Sequence, residues 1–471
     1  MKVLLVNITK DIKNDIEKNT LHPHHVLPPL DIGYCAALLE KNGHEVLFID
    51  TAIEQNSFFD ICQRIIKASV DIVVLKPNIM TYKLSLKLAD EIKSKNRYIV
   101  CIGPVVSTSY DFFLSEKSAV DLCIIGEPEY TLSAVVEKLS KGKDFTKIPG
   151  TSYFNKNLVV ESPGALCNNL DDLPFPKHDF FIEKGYHFQY PVKMNSKKKF
   201  AAMLTSRGCP YSCLFCSPIK RVSFDKAYRV RSAKNVIDEM ELLQSKGINL
   251  IYFLDDLFTF DYARVALICD QIIKRKLSII WAAQIRADSV DLELLKKMKN
   301  AGCGCVYIGI ESANDALLKM LKKGCNVGDI ERTVRFCQRV GINTVGGFII
   351  GIPGQTKNNL SEDLKFAKKL NLDLAEALLF IPYPDSEAFN MYGKLEHRDF
   401  YSHYDNAVAS YCELDINELK FAQQQFYRGY YLNLRFISRF FLKNTSRIIR
   451  NLFSEASFLK NTFLFLSQKY K

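Results

Sequence analysis

Along the first third of the chain, short apolar runs alternate with segments of helical spacing: KVLLVN, then IGYCAALLEKNG, then HEVLFID, DIVVLK, RYIVCIG and VDLCIIG. β-Branched runs bounded by Gly, Asp and Asn and separated by helix-length stretches predict βαβ units, hence a parallel, doubly wound, Rossmann-like α/β sheet. Ligands on such sheets bind beyond the carboxyl ends of the strands. Here those ends carry Asn7, Asp50, Lys76 to Asn78, Gly103 to Thr108 and Gly126 to Glu129. The next stretch, with TSYFN, NLVVES and LDDLPFPKHDF, loses helical periodicity and gains Pro and Asp, which predicts a small hairpin and a linker. A second series then begins: FAAMLTS, NLIYFLDD, SIIWAAQIRAD, GCVYIGIES, INTVGGFIIGIPG and DLAEALLFIPYP, separated by patterns such as SAKNVIDEMELLQSKG. It predicts a full or partial (β/α) barrel with its site at the C-terminal strand ends. The expected division is a doubly wound domain over 1–145, a linker over 146–195, a barrel over 196–400 and a helical C-terminal region over 401–471.

Length and composition agree with more than one core. The 471 residues are 48% hydrophobic and 24% charged, ordinary for soluble globular domains. The net charge of +11 is spread too thinly to mark a nucleic-acid partner. It concentrates in the tail, where Arg428, Arg435, Arg439, Lys443, Arg447, Arg450, Lys460, Lys469 and Lys471 face only Glu455. The start, MKVLLVNITKD, reads as a strand rather than an export signal, and no apolar run approaches the ~20 residues of a membrane span. The 14 cysteines are therefore expected in a reducing cytoplasm, where clustered thiols signal metal. Isolated Cys62, Cys101, Cys123, Cys269 and Cys337 read as small core residues.

Cys209, Cys213 and Cys216, in RGCPYSCLFCS, follow the first strand of the second series. Three thiolates at this spacing can hold three irons of a [4Fe-4S] cluster and leave the fourth open to a ligand. Structural zinc is the bland alternative, but it asks for four ligands, and no second CxxC or His pair stands nearby.

This stretch resembles the radical S-adenosylmethionine superfamily, whose motif is CxxxCxxC with an aromatic before the last cysteine, here Phe215. The resemblance implies that the open iron binds S-adenosylmethionine (SAM) and that cleavage gives a 5'-deoxyadenosyl radical, with the protein supplying geometry and exclusion of water. Further matches fall on successive strand ends: FLDDLF with Asp255 and Asp256, AAQIRAD with Arg286 and Asp288, YIGIES with Glu311 and Ser312, and GGFIIGIPGQT with Gly346, Gly347, Pro353 and Gly354. Phe215, Asp256, Arg286, Glu311, Ser312, Gly346, Gly347 and Pro353 are the SAM contacts it implies. A carboxylate suits ribose hydroxyls or an ammonium group, and glycine lets the backbone approach closely.

The first domain resembles the cobalamin-binding domain that precedes the barrel in one branch of that superfamily, through HVLPPLDIGYCAALLEKNGHEVLFID, CIGPVVSTS and DLCIIGEPEYTL. Pro29, Leu30, Gly103, Ser107, Thr108, Gly126 and Glu127 are the implied cobalamin contacts; a flavodoxin-like structural or regulatory domain is the alternative. The DxHxxG signature is absent: His22, His24 and His25 lack the upstream Asp, and His44 falls in a helix-to-strand turn. The expectation is cobalt without a protein histidine, with HPHH a polar loop. Cys303 and Cys305 read as structural, because only Cys412 lies beyond residue 337. The family's PYPGT appears as PYPDS, ending at Ser386.

Together these resemblances imply a cobalamin-dependent radical enzyme that methylates an unactivated carbon of a small-molecule or lipid-like substrate. It would be fed electrons by a flavodoxin or ferredoxin. A radical cyclase or rearrangement enzyme of the same architecture is the alternative, followed by a non-catalytic cobalamin sensor. Methylthiolation of tRNA would want a second cysteine set in the first domain. The tail mixes Arg with Phe, Ile and Leu at helical spacing; a cap on the barrel is the preferred reading and a surface peripheral to the membrane the sharper one.

Overall fold

A computed structural model describes residues 1–9, 26–54, 56–161, 166–192, 199–216, 228–383, 386–393 and 410–439. His22, His24 and His25, and the tail from residue 440 onward, lie outside the described residues.

The first apolar runs form β1 (Lys2–Ile8), β2 (Glu45–Asp50), β3 (Ile72–Pro77), β4 (Tyr98–Cys101) and β5 (Leu122–Ile124), parallel and in the order β2-β1-β3-β4-β5. Side chains alternate across a strand, so each run feeds two cores. Val3 and Leu5 pack beneath helices Leu30–Lys41 and Pro128–Ser140, while Leu4, Val6 and Ile8 pack beneath Phe58–Lys67 and Tyr82–Ile92. Cys62, Cys101 and Cys123 are buried in the second of these cores. The small hairpin, β6 (Thr151–Asn155) and β7 (Asn157–Val160), is bonded antiparallel to β5 and extends the first sheet rather than standing apart in the linker. That pairing covers an edge strand of three residues. His44 sits just before β2, near the amino terminus, with Nδ1 3.4 Å from the Met1 nitrogen. It is thus at the opposite end of the sheet from the carboxyl ends of the strands.

The second series gives β8 (Phe200–Met203), β9 (Ser206–Arg207), β10 (Arg229–Val230), β11 (Leu250–Phe253), β12 (Ile280–Ile285), β13 (Cys303–Glu311), β14 (Asn343–Ile350) and β15 (Leu374–Leu379). Six of these make a parallel sheet, β8-β11-β12-β13-β14-β15, and β9 and β10 form a separate antiparallel ribbon. Helices start cleanly on the sheet's outer side because Ser232, Asp261, Asp291, Asn326 and Thr356 each cap one through a side-chain oxygen. Ile251, Phe253, Val306, Ile308, Phe348 and Ile350 face those helices. Leu250, Tyr252, Cys305, Tyr307 and Val345 face the other way, onto the inner side. There the linker inserts Phe188, whose ring lies 4.4 Å from Tyr252, and Tyr190, 5.9 Å from Tyr307. Cys303 and Cys305 are buried, on opposite faces of β13.

Leu170, Leu173 and Phe181 of the linker pack with Leu30, Tyr34 and Ala202, joining the two sheets. The C-terminal helix Ile416–Tyr431 lies on β15, with the Tyr427 hydroxyl and the Gln423 amide both donating to the Ala377 carbonyl. This aromatic stretch is a cap. Among the described residues no helix is long and apolar enough to cross a membrane.

Candidate active site at the strand ends

The loop after β9 opens with Gly208 at φ +86°, a left-handed turn that glycine adopts without strain. It carries Cys209, Cys213 and Cys216, all partly exposed and free of disulfides. The loop is held from beneath by Leu214, which is buried between the last two cysteines. Its N–H donates to the Leu321 carbonyl at 2.9 Å, and its own carbonyl accepts from the Ala388 N–H at 3.0 Å. Phe215 packs half-buried against the same cluster, and the Cys216 N–H turns back to the Cys213 carbonyl at 3.1 Å. Among the described residues no three His, Cys, Asp or Glu side chains converge on one metal ion. The donor set here is three free, partly exposed thiols on one loop. That donor set fits a cubane, in which each thiolate takes a different iron.

Arg286, at the end of β12, reaches this loop. Its Nη1 lies 3.9 Å from Cys213 Sγ and its guanidinium carbon 3.6 Å from the Tyr211 ring centroid. Asp288 grips the same guanidinium through two bonds of 2.9 and 2.8 Å. Burial opposes the charge on Arg286, but Asp288 and the Cys213 sulfur hold it firmly protonated. Arg286 also donates to the Lys323 carbonyl. The Lys323 ammonium is buried and pairs with Glu311 at 2.7 Å. Desolvation would lower its pKa; Glu311 and the nearby Cys213 outweigh that and raise it. Glu311 itself sits at φ +64°, an uncommon conformation for a residue with a Cβ. A Cβ at Gly309 would run into the Glu311 carboxylate and come within 2.7 Å of the Lys323 nitrogen, so this glycine makes room for the pair.

The other expected SAM contacts divide. Asp256 is half-buried beyond β11, whereas its neighbour Asp255 is fully buried, accepting from the Thr205 N–H at 2.7 Å and the Ser206 hydroxyl at 2.6 Å. The Ser312 hydroxyl is committed to Asp363 at 2.9 Å. Gly346 and Gly347 lie within β14, where a Cβ would strike Ile310 and Leu372, or Tyr307, respectively. Pro353 lies in the buried turn after β14 that Gln355 ties by accepting from the Gly351 N–H at 2.7 Å.

In the first domain, Pro29 precedes the helix that begins at Leu30, and Leu30 is buried against the linker. Gly103, at φ +105°, opens the short helix Pro104–Thr108. Ser107 bonds the Gly103 carbonyl and accepts from the Gly126 N–H at 2.9 Å, tying two strand ends together; Thr108 donates to the Val105 carbonyl. Glu127 is engaged across the domain boundary, 2.5 Å from Arg229 and 3.3 Å from Arg207. Burial would push its carboxyl up, but Arg229 and Arg207 hold it down. Arg207 also pairs with buried Glu129 at 2.6 Å. Sequence reasoning missed Tyr211, Lys323, Arg207 and Arg229, and placed Glu129 at a strand end without its partner. Nothing in the LKKGC string marks Lys323 apart from Lys322, which meets Glu387 on the surface.

Residues 203–367 match the radical SAM superfamily, and residues 18–136 match the B12 binding domain. An uncharacterized methyltransferase of Pyrococcus horikoshii is 34% identical over 76% of this chain and 76% of its own length. The chain belongs to the radical SAM superfamily. Within it, an anaerobic magnesium-protoporphyrin IX monomethyl ester cyclase of Rubrivivax gelatinosus is 27% identical over 93% of this chain and 79% of its own. The radical SAM methyltransferase TsrM from Kitasatospora setae, solved with cobalamin and a [4Fe-4S] cluster, shares the fold with a TM-score of 0.65. The likeness covers 82% of this chain and 73% of that one, at 20% identity. The open sheet, its cysteine loop and the preceding doubly wound domain are therefore one radical SAM architecture.

Proposed function

We propose that this radical SAM protein is a cobalamin-dependent methyltransferase that methylates a carbon of a small molecule. The observation that carries the reading is the meeting, at one set of strand ends, of three half-buried thiols with Arg286 and the Lys323–Glu311 pair. The Arg207 and Arg229 ion pairs tether that meeting place to the B12 binding domain. When bound, the cluster and SAM supply a hydrogen-abstracting radical and cobalamin supplies the methyl group.

The chain's own residues do the positioning. Cys209, Cys213 and Cys216 would hold the cluster. Arg286, clamped by Asp288, lays fixed positive charge beside the Cys213 sulfur, and Tyr211 covers its outer face. Glu311, Asp256 and the turn at Pro353 would orient SAM, with Phe215, Ser312, Gly346 and Gly347 shaping its walls. Pro29, Leu30, Gly103, Ser107, Thr108, Gly126 and Glu127 would border cobalamin, with cobalt free of protein histidine. A flavodoxin or ferredoxin would deliver the electron.

Replacing Cys209, Cys213 or Cys216 with Ala should abolish cluster absorbance and 5'-deoxyadenosine formation together. Full iron content with retained SAM cleavage would refute the reading. A ring-forming reaction is the second reading, supported by the cyclase relative that spans 93% of this chain. Mass spectrometry of products separates the two, since methyl transfer yields S-adenosylhomocysteine alongside 5'-deoxyadenosine and ring closure does not.

A further inference from the structure

Glu376 is the third residue of β15, between Ala375 and Ala377, which both pack outward against the helices. Strand alternation therefore turns Glu376 to the inner face, where it lies beside Gly347 of β14. It is only 6% exposed, and among the described residues neither a hydrogen bond nor an ion pair reaches its carboxyl. The Tyr307 ring sits over Gly347, so close that a Cβ there would lie 2.8 Å from Cζ. Tyr190 stacks on Tyr307 at 5.9 Å and stands 6.0 Å from Tyr252, whose hydroxyl accepts from the Gln284 amide at 3.0 Å. Of these rings, Tyr190 is the one whose hydroxyl feels the Glu376 charge, and Tyr307 stands over the neighbouring Gly347. The titratable groups bearing on this space are Tyr190, Tyr252, Tyr307 and Cys305, with Tyr431 behind β15. No described Lys, Arg or His offsets the Glu376 charge; burial alone pushes its carboxyl up to about 7.

The inner face is reachable. Its positions nearer the carboxyl ends, Leu254, Gln284, Tyr307, Gly309 and Leu378, are partly exposed, and Gly309 adjoins the Glu311–Lys323 pair. A carboxylate buried without a partner is costly, and a purely structural position would favour an apolar residue. A carboxylate without a partner on a reachable face complements a positively charged ligand in charge.

We propose that Glu376, on the inner face beside Gly347 and near Tyr190, is the recognition carboxylate of the substrate site and receives an organic ammonium group of the substrate. This rests on the reading that a small molecule reacts at these strand ends. The test is calorimetric titration of the full, cluster-reconstituted chain with phenethylammonium and with its neutral counterpart 2-phenylethanol. At about pH 8.5, where the carboxyl is ionised, the ammonium should bind about tenfold tighter than the alcohol. That preference should shrink as pH falls to about 5.5, while phenethylammonium itself stays protonated, and should vanish in Glu376→Gln. Equal affinities, no binding of either probe, or a preference indifferent to pH would overturn the proposal, as would one surviving in Glu376→Gln. The wild-type pH series decides even if the variant misfolds. Formation of 5'-deoxyadenosine from SAM by the same wild-type preparation is scored separately. Its absence would sink the proposed reaction without touching the cation preference.

Discussion

Arg207 and Glu129 meet at 2.6 Å across the boundary between the two sheets, the carboxylate side chain 1% exposed and the guanidinium side chain 14%. Arg207 directly precedes Gly208 and Cys209, so the pair sets where the cysteine loop begins relative to the strand ends of the B12 binding domain. Tyr34 lies under the same guanidinium, with its ring centroid 5.3 Å away.

Arg207→Ala should leave Glu129 buried without a cation and destabilise the apoprotein by about 3–5 kcal/mol, the usual cost of stranding one member of a buried pair. Arg207→Ala with Glu129→Ala should recover much of it. Urea unfolding reads both, and a single variant within about 1 kcal/mol of wild type would show the pair to be idle.

Lys323→Met removes the ammonium that neutralises Glu311 and should weaken SAM binding by about tenfold, corresponding to roughly 1.4 kcal/mol. Lys322→Met, on the exposed neighbour, should leave binding as it was. Equilibrium dialysis against labelled SAM distinguishes them; equal effects at the two positions would refute the special role of Lys323.

Gly347→Ala should cost about 1–3 kcal/mol, because the new methyl group and the Tyr307 ring compete for one space. Adding Tyr307→Leu should restore part of the loss. If the double variant is no more stable than Gly347→Ala alone, the clash is not the cause.

Asp363 offers a test by pH. Burial raises its carboxyl from 3.8 to about 6, against the bonds from Ala313, Ser312 and Gln355. The folded chain thus holds this proton more tightly than the unfolded one. Its contribution to stability is complete below about pH 4 and lost as pH rises to about 6, up to roughly 3 kcal/mol. Asp363→Asn should flatten the stability profile of the apoprotein over that window. Parallel profiles would refute the assignment.

The alternating runs were legible because β1 to β5 and the six strands of the second sheet run parallel and are buried on two faces, so each of them is a continuous apolar word. The cysteine triad was legible because its spacing alone specifies a local loop. The strand-end residues were harder to sort. Asp255 and Asp256 are adjacent in sequence, yet one is a buried brace for Thr205 and Ser206 while the other is half-exposed beyond its strand. Likewise the Ser312 hydroxyl, expected at the ligand, braces Asp363, and Glu127, expected at cobalamin, bonds two arginines from the other domain.

By itself the sequence determined the two series of β/α units, the loop that gathers three thiols and the strand ends at which chemistry would sit, because each depends on spacing within a short stretch. Only the tertiary structure decided which charges meet. Lys323 reaches Glu311 across 12 residues and Arg207 reaches Glu129 across 78, while Tyr190 of the linker comes to stand before Glu376 of the last strand. Those partners are chosen by chain packing rather than by periodicity. Burial then gives them their weight, since a lysine or glutamate that would be one more solvated charge on the surface acquires a single obligatory partner once water is removed.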